Sequence, residues 1–438
     1  MGNKVLVVYS GRLGVGGANI FLRDLLKRLL QTAKVRFYTL SLRVEKGFLH
    51  ISLGAVWCLH GELQEHVLHS CHARTSSNVL SEVIRPIRVF IKIVKPRVMV
   101  VNSVDPMVLN IVDGLLNIVP NCYLVVHDGG FFCPLKHMWD PLEGKPCNIY
   151  CLELGRVPEY CMAAAALLKI GYVQPTLNPL KTRYLRLTKS LIRGSGSFHE
   201  LWKVSRRVIE QSVVITPSRF MMDLVKRFAS ANAIVIRHGA PGELFFLAKK
   251  RKKPSLIKIG FIGDVSLHKG VHVLLKAIDA TFRRQSNIAD KIAFYIIGPV
   301  HLFSSISMGI VRRYTRLISD RIKLLCPIRS RAKIYSLLDV VVLPSICCES
   351  AGLTVVEGVA SGRYAIASRL GGVPAYLEGY PRGLLVEPGN AYELANAIIR
   401  VAEMVSSSDL ARAIDTRRYI STLYNVALEY AHLVLKDC

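Results

Sequence analysis

The chain has 438 residues, 51% of apolar types and 20% charged, and 58 Lys and Arg against 31 Asp and Glu leave it at +27. This excludes a disordered or low-complexity protein, and no apolar run reaches the roughly 18–20 residues that a bilayer-spanning helix needs. The positive surplus predicts an anionic partner: a phosphorylated ligand, an anionic membrane surface or nucleic acid.

Val5–Tyr9 reads as a buried strand, Ser10-Gly-Arg-Leu-Gly-Val-Gly-Gly17 as a glycine turn, and Ile20, Leu22, Leu25, Leu26, Leu29 and Leu30 as one face of a helix. That succession opens a doubly wound α/β domain. Lys4–Ser10 is too short for the apolar core of a secretory signal, so the expected location is the cytoplasm, at the inner face of the cell membrane. Further strands are expected at Val35–Leu40, Val98–Asn102, Tyr123–Val126 and Val213–Thr216. Their continuous Val, Ile and Leu runs suit a parallel sheet covered on both faces.

The turn cluster Gly239-Ala-Pro-Gly242 and the charged run Lys249–Lys253 mark a break. A second series of strands follows at Ile257–Ile262, Ile292–Ile297, Ile322–Leu325, Val340–Leu343, Tyr364–Ala367 and Gly383–Val386. The chain then reads as a long amphipathic helix on Ile420, Leu423, Tyr424, Ala427, Ala431 and Val434. The expected architecture is α/β, with two Rossmann-like doubly wound domains facing a central cleft. They are placed at 1–240 and 255–405, with a C-terminal helix within 406–438 packing back on the first domain.

Two segments of the first domain stand apart. Cys133, Cys147, Cys151 and Cys161 lie in an insertion at about 127–161. Their spacing is looser than a zinc knuckle, so a structural metal site, a disulfide and free thiols all stay open. Cys58, His60, His66, His69, Cys71 and His72 are also close in sequence and read best as a solvated loop-helix segment. At about 180–193, Arg183, Arg186, Lys189 and Arg193 alternate with Tyr184, Leu187 and Leu191. A basic amphipathic helix of that kind suits an anionic membrane surface as well as ordinary packing. Nothing accompanying the charge resembles a nucleic-acid motif, so nucleic acid is set aside as partner.

The most informative stretch runs from Asp339 to Arg363: a buried strand ending at Pro344-Ser345, a loop carrying Glu349, then Gly352-Leu353-Thr354 opening a helix that carries Glu357. Backbone N–H groups at such a helix start favour anions. Alone, the two glutamates read as a loop acid and a solvated helix acid. With seven residues between them in this setting, they resemble the E-x7-E element of retaining glycosyltransferases of the GT-B fold, family 4. Gly260-Phe-Ile-Gly263, His268-Lys269-Gly270, Phe294–Gly298, Val213–Ser218, Val126-His127-Asp128, Ile366–Gly372 and Leu385–Gly389 are similar to that family's other elements, in the same order.

The resemblance implies a nucleotide-diphosphate sugar donor, a glycan or lipid-linked acceptor, and no cofactor. It assigns Lys269 to the diphosphate, Glu357 to the ribose, and Glu349 and His127 to the transferred sugar. Gly16, Gly17, Gly352, Leu353 and Thr354 would lie along the phosphates. Asp264 departs from the family, which carries Arg there; Arg12, Arg219 and Arg237 are the candidate replacements. Ala375 stands where the family commonly has an acid. The chain has no Asp-x-Asp, which fits a metal-independent donor site. A GT-B sugar-nucleotide epimerase and a non-catalytic sugar-nucleotide or polyanion binder are the rival expectations.

Overall fold

The computed structural model describes residues 3–10, 13, 17–45, 48–59, 62–74, 79–102, 109–133, 138–140, 145–147, 151–152, 161, 196–248, 254–284, 290–298, 322–325, 328, 330–407 and 414–437. The strands are β1 (Asn3–Ser10), β2 (Val35–Glu45), β3 (Phe48–Leu59), β4 (Glu62–Arg74), β5 (Val98–Asn102), β6 (Asn121–Val125), β7 (Trp139–Asp140), β8 (Lys145–Pro146), β9 (Val213–Thr216), β10 (Asn232–Val235), β11 (Ile257–Ile262), β12 (Ile292–Ile297), β13 (Ile322–Leu325), β14 (Val340–Leu343), β15 (Tyr364–Ser368) and β16 (Gly383–Val386). The helices are α1 (Gly17–Thr32), α2 (Val79–Val94), α3 (Leu109–Leu116), α4 (Gly196–Glu210), α5 (Arg219–Phe228), α6 (Gly242–Phe245), α7 (Val271–Arg284), α8 (Arg331–Leu337), α9 (Leu353–Ala360), α10 (Val373–Leu377), α11 (Ala391–Ser406) and α12 (Leu423–Leu435).

The second sheet has the order β13-β12-β11-β14-β15-β16 and every pairing in it is parallel. Counted within the domain this is 3-2-1-4-5-6, the doubly wound order whose ligand crevice opens at the carboxyl ends of the central strands. Here those strands are β11 and β14: β14 is apolar and buried throughout, and β11 is apolar apart from Lys258 near its start.

The first sheet has the order β10-β9-β6-β5-β1-β2-β3-β4. It is parallel from β10 to β2, then closes with the antiparallel pairs β2–β3 and β3–β4. The loop-helix reading of Cys58 to His72 is corrected here. Cys58 lies on β3, and His66, His69, Cys71 and His72 lie on β4, an edge strand, while His60 lies outside the described residues. The physical reason is pairing: Leu49, Ile51 and Leu53 of β3 are buried in the core beside α2, which pins a period-2 register. The cluster of ligand-type residues had masked that alternation.

The chain's last elements also differ from one continuous helix. Thr416–Arg418 form a 3-10 turn, Ile420 lies beyond it, and α12 starts only at Leu423, capped by Thr422. As expected, α12 packs back on the first domain: Leu423, Val426, Ala427, Tyr430 and Val434 share a core with α1 and β1. Tyr123 on β6 donates to the carbonyl of Leu433 at 2.8 Å. No helix among the described residues is long and apolar enough to cross a membrane. The segment at about 180–193, Gly16 and Arg12 lie outside the described residues.

Candidate active site

The site grows from the exit of β14. Pro344 and Ser345 end the strand, and the loop to α9 carries Glu349 inward, 14% exposed. The turn after β11 presses against this exit: Ile346 N–H donates to the His268 carbonyl at 2.9 Å. Gly270, at φ +73°, sits where any Cβ would collide with the Pro344 carbonyl. Only glycine takes that backbone shape without strain, so the turn fits closely enough for Lys269 to reach across. Lys269 Nζ donates to Glu349 Oε1 at 2.6 Å, and Ser345 Oγ donates to the same oxygen at 2.7 Å. From behind, Gly372 N–H holds the Glu349 carbonyl at 2.8 Å. Burial disfavours the Lys269 ammonium, but the Glu349 carboxylate, with Cys347 and Asp264 nearby, holds its pKa above the ordinary lysine value. Lys269 is thus a fixed cation.

Helix α9 begins at Gly352, which has φ +71° and offers no side-chain cap. Its first turn faces the cleft, and Thr354 Oγ1 donates to the Ile262 carbonyl of β11 at 3.1 Å. One turn on, Glu357 is 12% exposed and accepts from Arg331 Nη1 at 3.0 Å. Burial raises the Glu357 pKa, while Arg331 and a hydrogen bond from Tyr335 oppose the rise. The other Arg331 nitrogen, Nη2, pairs with Asp24 of α1 in the first domain.

The first domain contributes the carboxyl ends of β1, β5 and β6. His127 follows β6, is buried, and its Nε2 lies 2.8 Å from Asn102 Oδ1 at the end of β5. Its ring stacks on His238 at 5.3 Å with a 9° tilt, and Phe21 packs on both rings. A Cβ on Gly17 would come 3.6 Å from Leu353, so the start of α1 lies directly opposite the start of α9.

The structure therefore brings Lys269 to Glu349, Arg331 to Glu357, and Gly17 to Leu353. The described contacts of His127 stay within the first domain. Arg331, Asp24, Asn102 and His238 were missed by sequence reasoning. Only Ser330, the N-cap of α8, marks Arg331 as a helix start. The candidate replacements for the family Arg fall elsewhere. Arg219 is exposed at the start of α5, and Arg237 donates to the Ala375 carbonyl at 2.6 Å while lying over the Tyr376 ring. Asp264 adds negative charge near Lys269.

Cys133, Cys147, Cys151 and Cys161 are not joined in disulfides, and among the described residues no group of three or more His, Cys, Asp or Glu has metal-holding geometry. Cys133 is buried in the first domain's core, against which Cys147 and Cys151 pack, as does Cys348 from the loop beside Glu349. In the other direction, Trp139 of the insertion is buried in the second domain's core.

The histidine pair makes a pH prediction. Burial pushes His127 down to about 4 and His238 well below the usual histidine value. An unfolded histidine titrates near 6.5, so between about pH 6.5 and 4 the unfolded chain binds protons that the folded chain refuses. Stability contributed by the neutral rings is present above pH 6.5 and is lost as pH falls toward 4, by roughly 3 kcal/mol for His127. Thermal unfolding of wild type and His127→Gln across pH 7 to 4.5 should show a shallower acid decline in the variant. Parallel curves would mean His127 is not the group.

Two Rossmann-like sheets with their carboxyl ends facing across a cleft, crossed by Gly17–Leu353 and Asp24–Arg331, define the GT-B fold. Residues 257–404 match the model of the glycosyl transferases group 1. Curated relatives include D-inositol 3-phosphate glycosyltransferases. That of Corynebacterium diphtheriae is 29% identical over 49% of this chain and 54% of its own length. That of Corynebacterium glutamicum is 28% identical over 51% of this chain and 61% of its own. The chain thus spans about half the length of the curated relatives it matches. Among solved structures, sucrose-phosphate synthase from Thermosynechococcus elongatus aligns over 99% of this chain and 98% of its own, with TM-score 0.65 and 15% identity. Anabaena HepE in complex with UDP-glucose aligns over 98% and 99%, with TM-score 0.60 and 13% identity. At such identities the likeness concerns the fold.

Proposed function

We propose that the protein is a retaining glycosyltransferase that moves a hexose from a nucleotide-diphosphate sugar to a hydroxyl of a glycan or lipid-linked acceptor. The observation that carries this reading is the placement of two partly buried cation–carboxylate pairs, Lys269–Glu349 and Arg331–Glu357, on either side of the uncapped start of α9. In this reading the diphosphate lies on the amides of Leu353 and Thr354 beside Lys269, with Gly16 and Gly17 opposite. Glu357 takes the ribose hydroxyls, and Glu349 and His127 take the sugar. Negative charge grows on the diphosphate as the glycosidic bond breaks, and fixed positive groups in a partly dry cleft stabilise it. The acceptor hydroxyl attacks from the face the diphosphate leaves, and the diphosphate takes its proton. Arg331, held between Glu357 and Asp24, is a second cation on the α9 side of the cleft. HepE was solved with UDP-glucose, which agrees with a donor of this class. The net charge exceeds what one donor needs, which supports the reading of a cytoplasmic enzyme working at an anionic membrane surface.

The test is incubation with a panel of nucleotide sugars in EDTA. Transfer to an added acceptor, or slow donor hydrolysis, is the expected result. Epimerised donor would favour the GT-B epimerase, and binding without turnover the non-catalytic binder. Activity that vanishes in EDTA and returns with Mg²⁺ or Mn²⁺ would overturn the metal-independent donor site.

A further inference from the structure

We infer that the outer face of α2 is a docking surface for an anionic lipid bilayer. The inner face of this helix is accounted for: Ile87 and Ile91 are buried in the first domain's core, and Phe90 packs against it. The described positions on the outer face are Arg85, Arg88, Val89, Lys92 and Ile93, all exposed. Three are cations, two are large aliphatics, and none is an acid. Val89 is 52% exposed and Ile93 73%. No ion pair of Arg85, Arg88 or Lys92 occurs among the described residues, whereas Lys203 and Arg207 on α4 pair with Glu200 and Asp113.

The face continues onto the sheet. α2 packs against β4. The register of β3 puts Trp57 on the same side as Leu53 and Ile51, the side α2 covers, and Trp57 is 42% exposed. Aliphatic and indole groups among cations are what an interfacial helix presents to headgroups: charge attracts the surface, and apolar groups enter the acyl boundary. Free nucleic acid would use the cations but leave Val89 and Ile93 in water, so the bilayer is the occupant the face fits.

This deepens the reading of an anionic membrane partner, and it assigns that role to α2 independently of the segment at about 180–193. The readout is binding, so it stands apart from transfer. The full-length protein should sediment with phosphatidylglycerol vesicles and not with phosphatidylcholine vesicles, and salt should weaken the binding. Arg85→Gln/Arg88→Gln/Lys92→Gln should lower vesicle partitioning roughly a hundredfold, at about fivefold per cation. Val89→Ser/Ile93→Ser should weaken partitioning while leaving its salt dependence in place. Melting temperature and UDP affinity, measured in parallel, should stay at wild-type values in both variants. The inference is overturned if wild type shows no preference for anionic vesicles or if both variants bind as wild type does. It is also overturned if the variants lose only binding to single-stranded RNA, or dissociate a dimer without losing vesicles. Failure of UDP binding in wild type would instead count against the glycosyltransferase reading.

Discussion

Replacing Lys269 or Glu349 by Ala should lower glycosyl transfer at least about a hundredfold, a cost of roughly 2.7 kcal/mol at the barrier. The two side chains form one device. Ser345 and Lys269 both donate to Glu349 Oε1, so removing Lys269 takes away the cation proposed for the diphosphate and also the contact that aims Glu349. Removing Glu349 leaves an ammonium in a poorly solvated place with less to hold it. Part of the loss in either variant will be stability, because stranding one member of a partly buried pair is costly. Turnover must therefore be compared at a temperature where both variants are folded. Glu349→Gln separates the causes: it keeps the shape and the Ser345 hydrogen bond, and it should still lose most activity. Near-normal turnover in Lys269→Ala or Glu349→Ala would remove that residue from the chemistry.

The second large effect is expected at Arg331. Its guanidinium lies between Glu357 in the second domain and Asp24 in the first, each carboxylate less than a sixth exposed. Among the described residues, Arg331→Ala leaves Glu357 with only its Tyr335 hydrogen bond and Asp24 with only Arg23, which should destabilise the protein by roughly 1–3 kcal/mol. It should also raise the donor KM at least tenfold while changing kcat much less, since the proposed function assigns Glu357 to the ribose and not to the bond that breaks. Glu357→Ala should reproduce the KM effect, and the double variant should be no worse than the poorer single one. Additive effects would mean that Arg331 does not act through Glu357. An unchanged donor KM in Glu357→Ala would remove the ribose assignment. Asp24→Asn should leave KM nearer wild type, because the Arg331–Glu357 bond survives it.

The parts of this molecule that were legible in its sequence are those where local order suffices. Val340–Leu343 is uniformly apolar because its strand is covered on both faces, and the glycine at 352 ends the following loop at a helix start. Strands β11, β12, β14, β15 and β16 could be read the same way. What was not legible depends on partners distant in the chain. Arg331 and Asp24 are separated by 307 positions, and nothing near either residue announces the other. His238 stands after β10 as an unremarkable loop residue, yet it stacks on His127 from more than a hundred positions away. The β3–β4 pair was hidden for another reason. β4 is an edge strand whose described side chains from 62 to 70 are largely exposed, so it lacks the apolar alternation that marks a strand buried on one face.

The return of α12 has a consequence for the order in which the protein is made. The chain leaves the first domain after β10, builds the whole second sheet, and comes back. The two crossings touch where Ala240 N–H donates to the Ser421 carbonyl at 3.0 Å and Leu423 N–H to that of Ala240 at 2.8 Å. Until residues 423–435 have left the ribosome, Leu22, Leu25, Leu26 and Val7 have no cover on the side that Tyr430 and Val434 later close. The first domain to be synthesised is therefore the last to be finished, and it must wait half-covered while its neighbour folds. Exposed apolar surface of that kind invites chaperone capture or aggregation. A nascent chain halted near residue 410 should accordingly hold a protease-resistant second domain attached to a protease-sensitive first one.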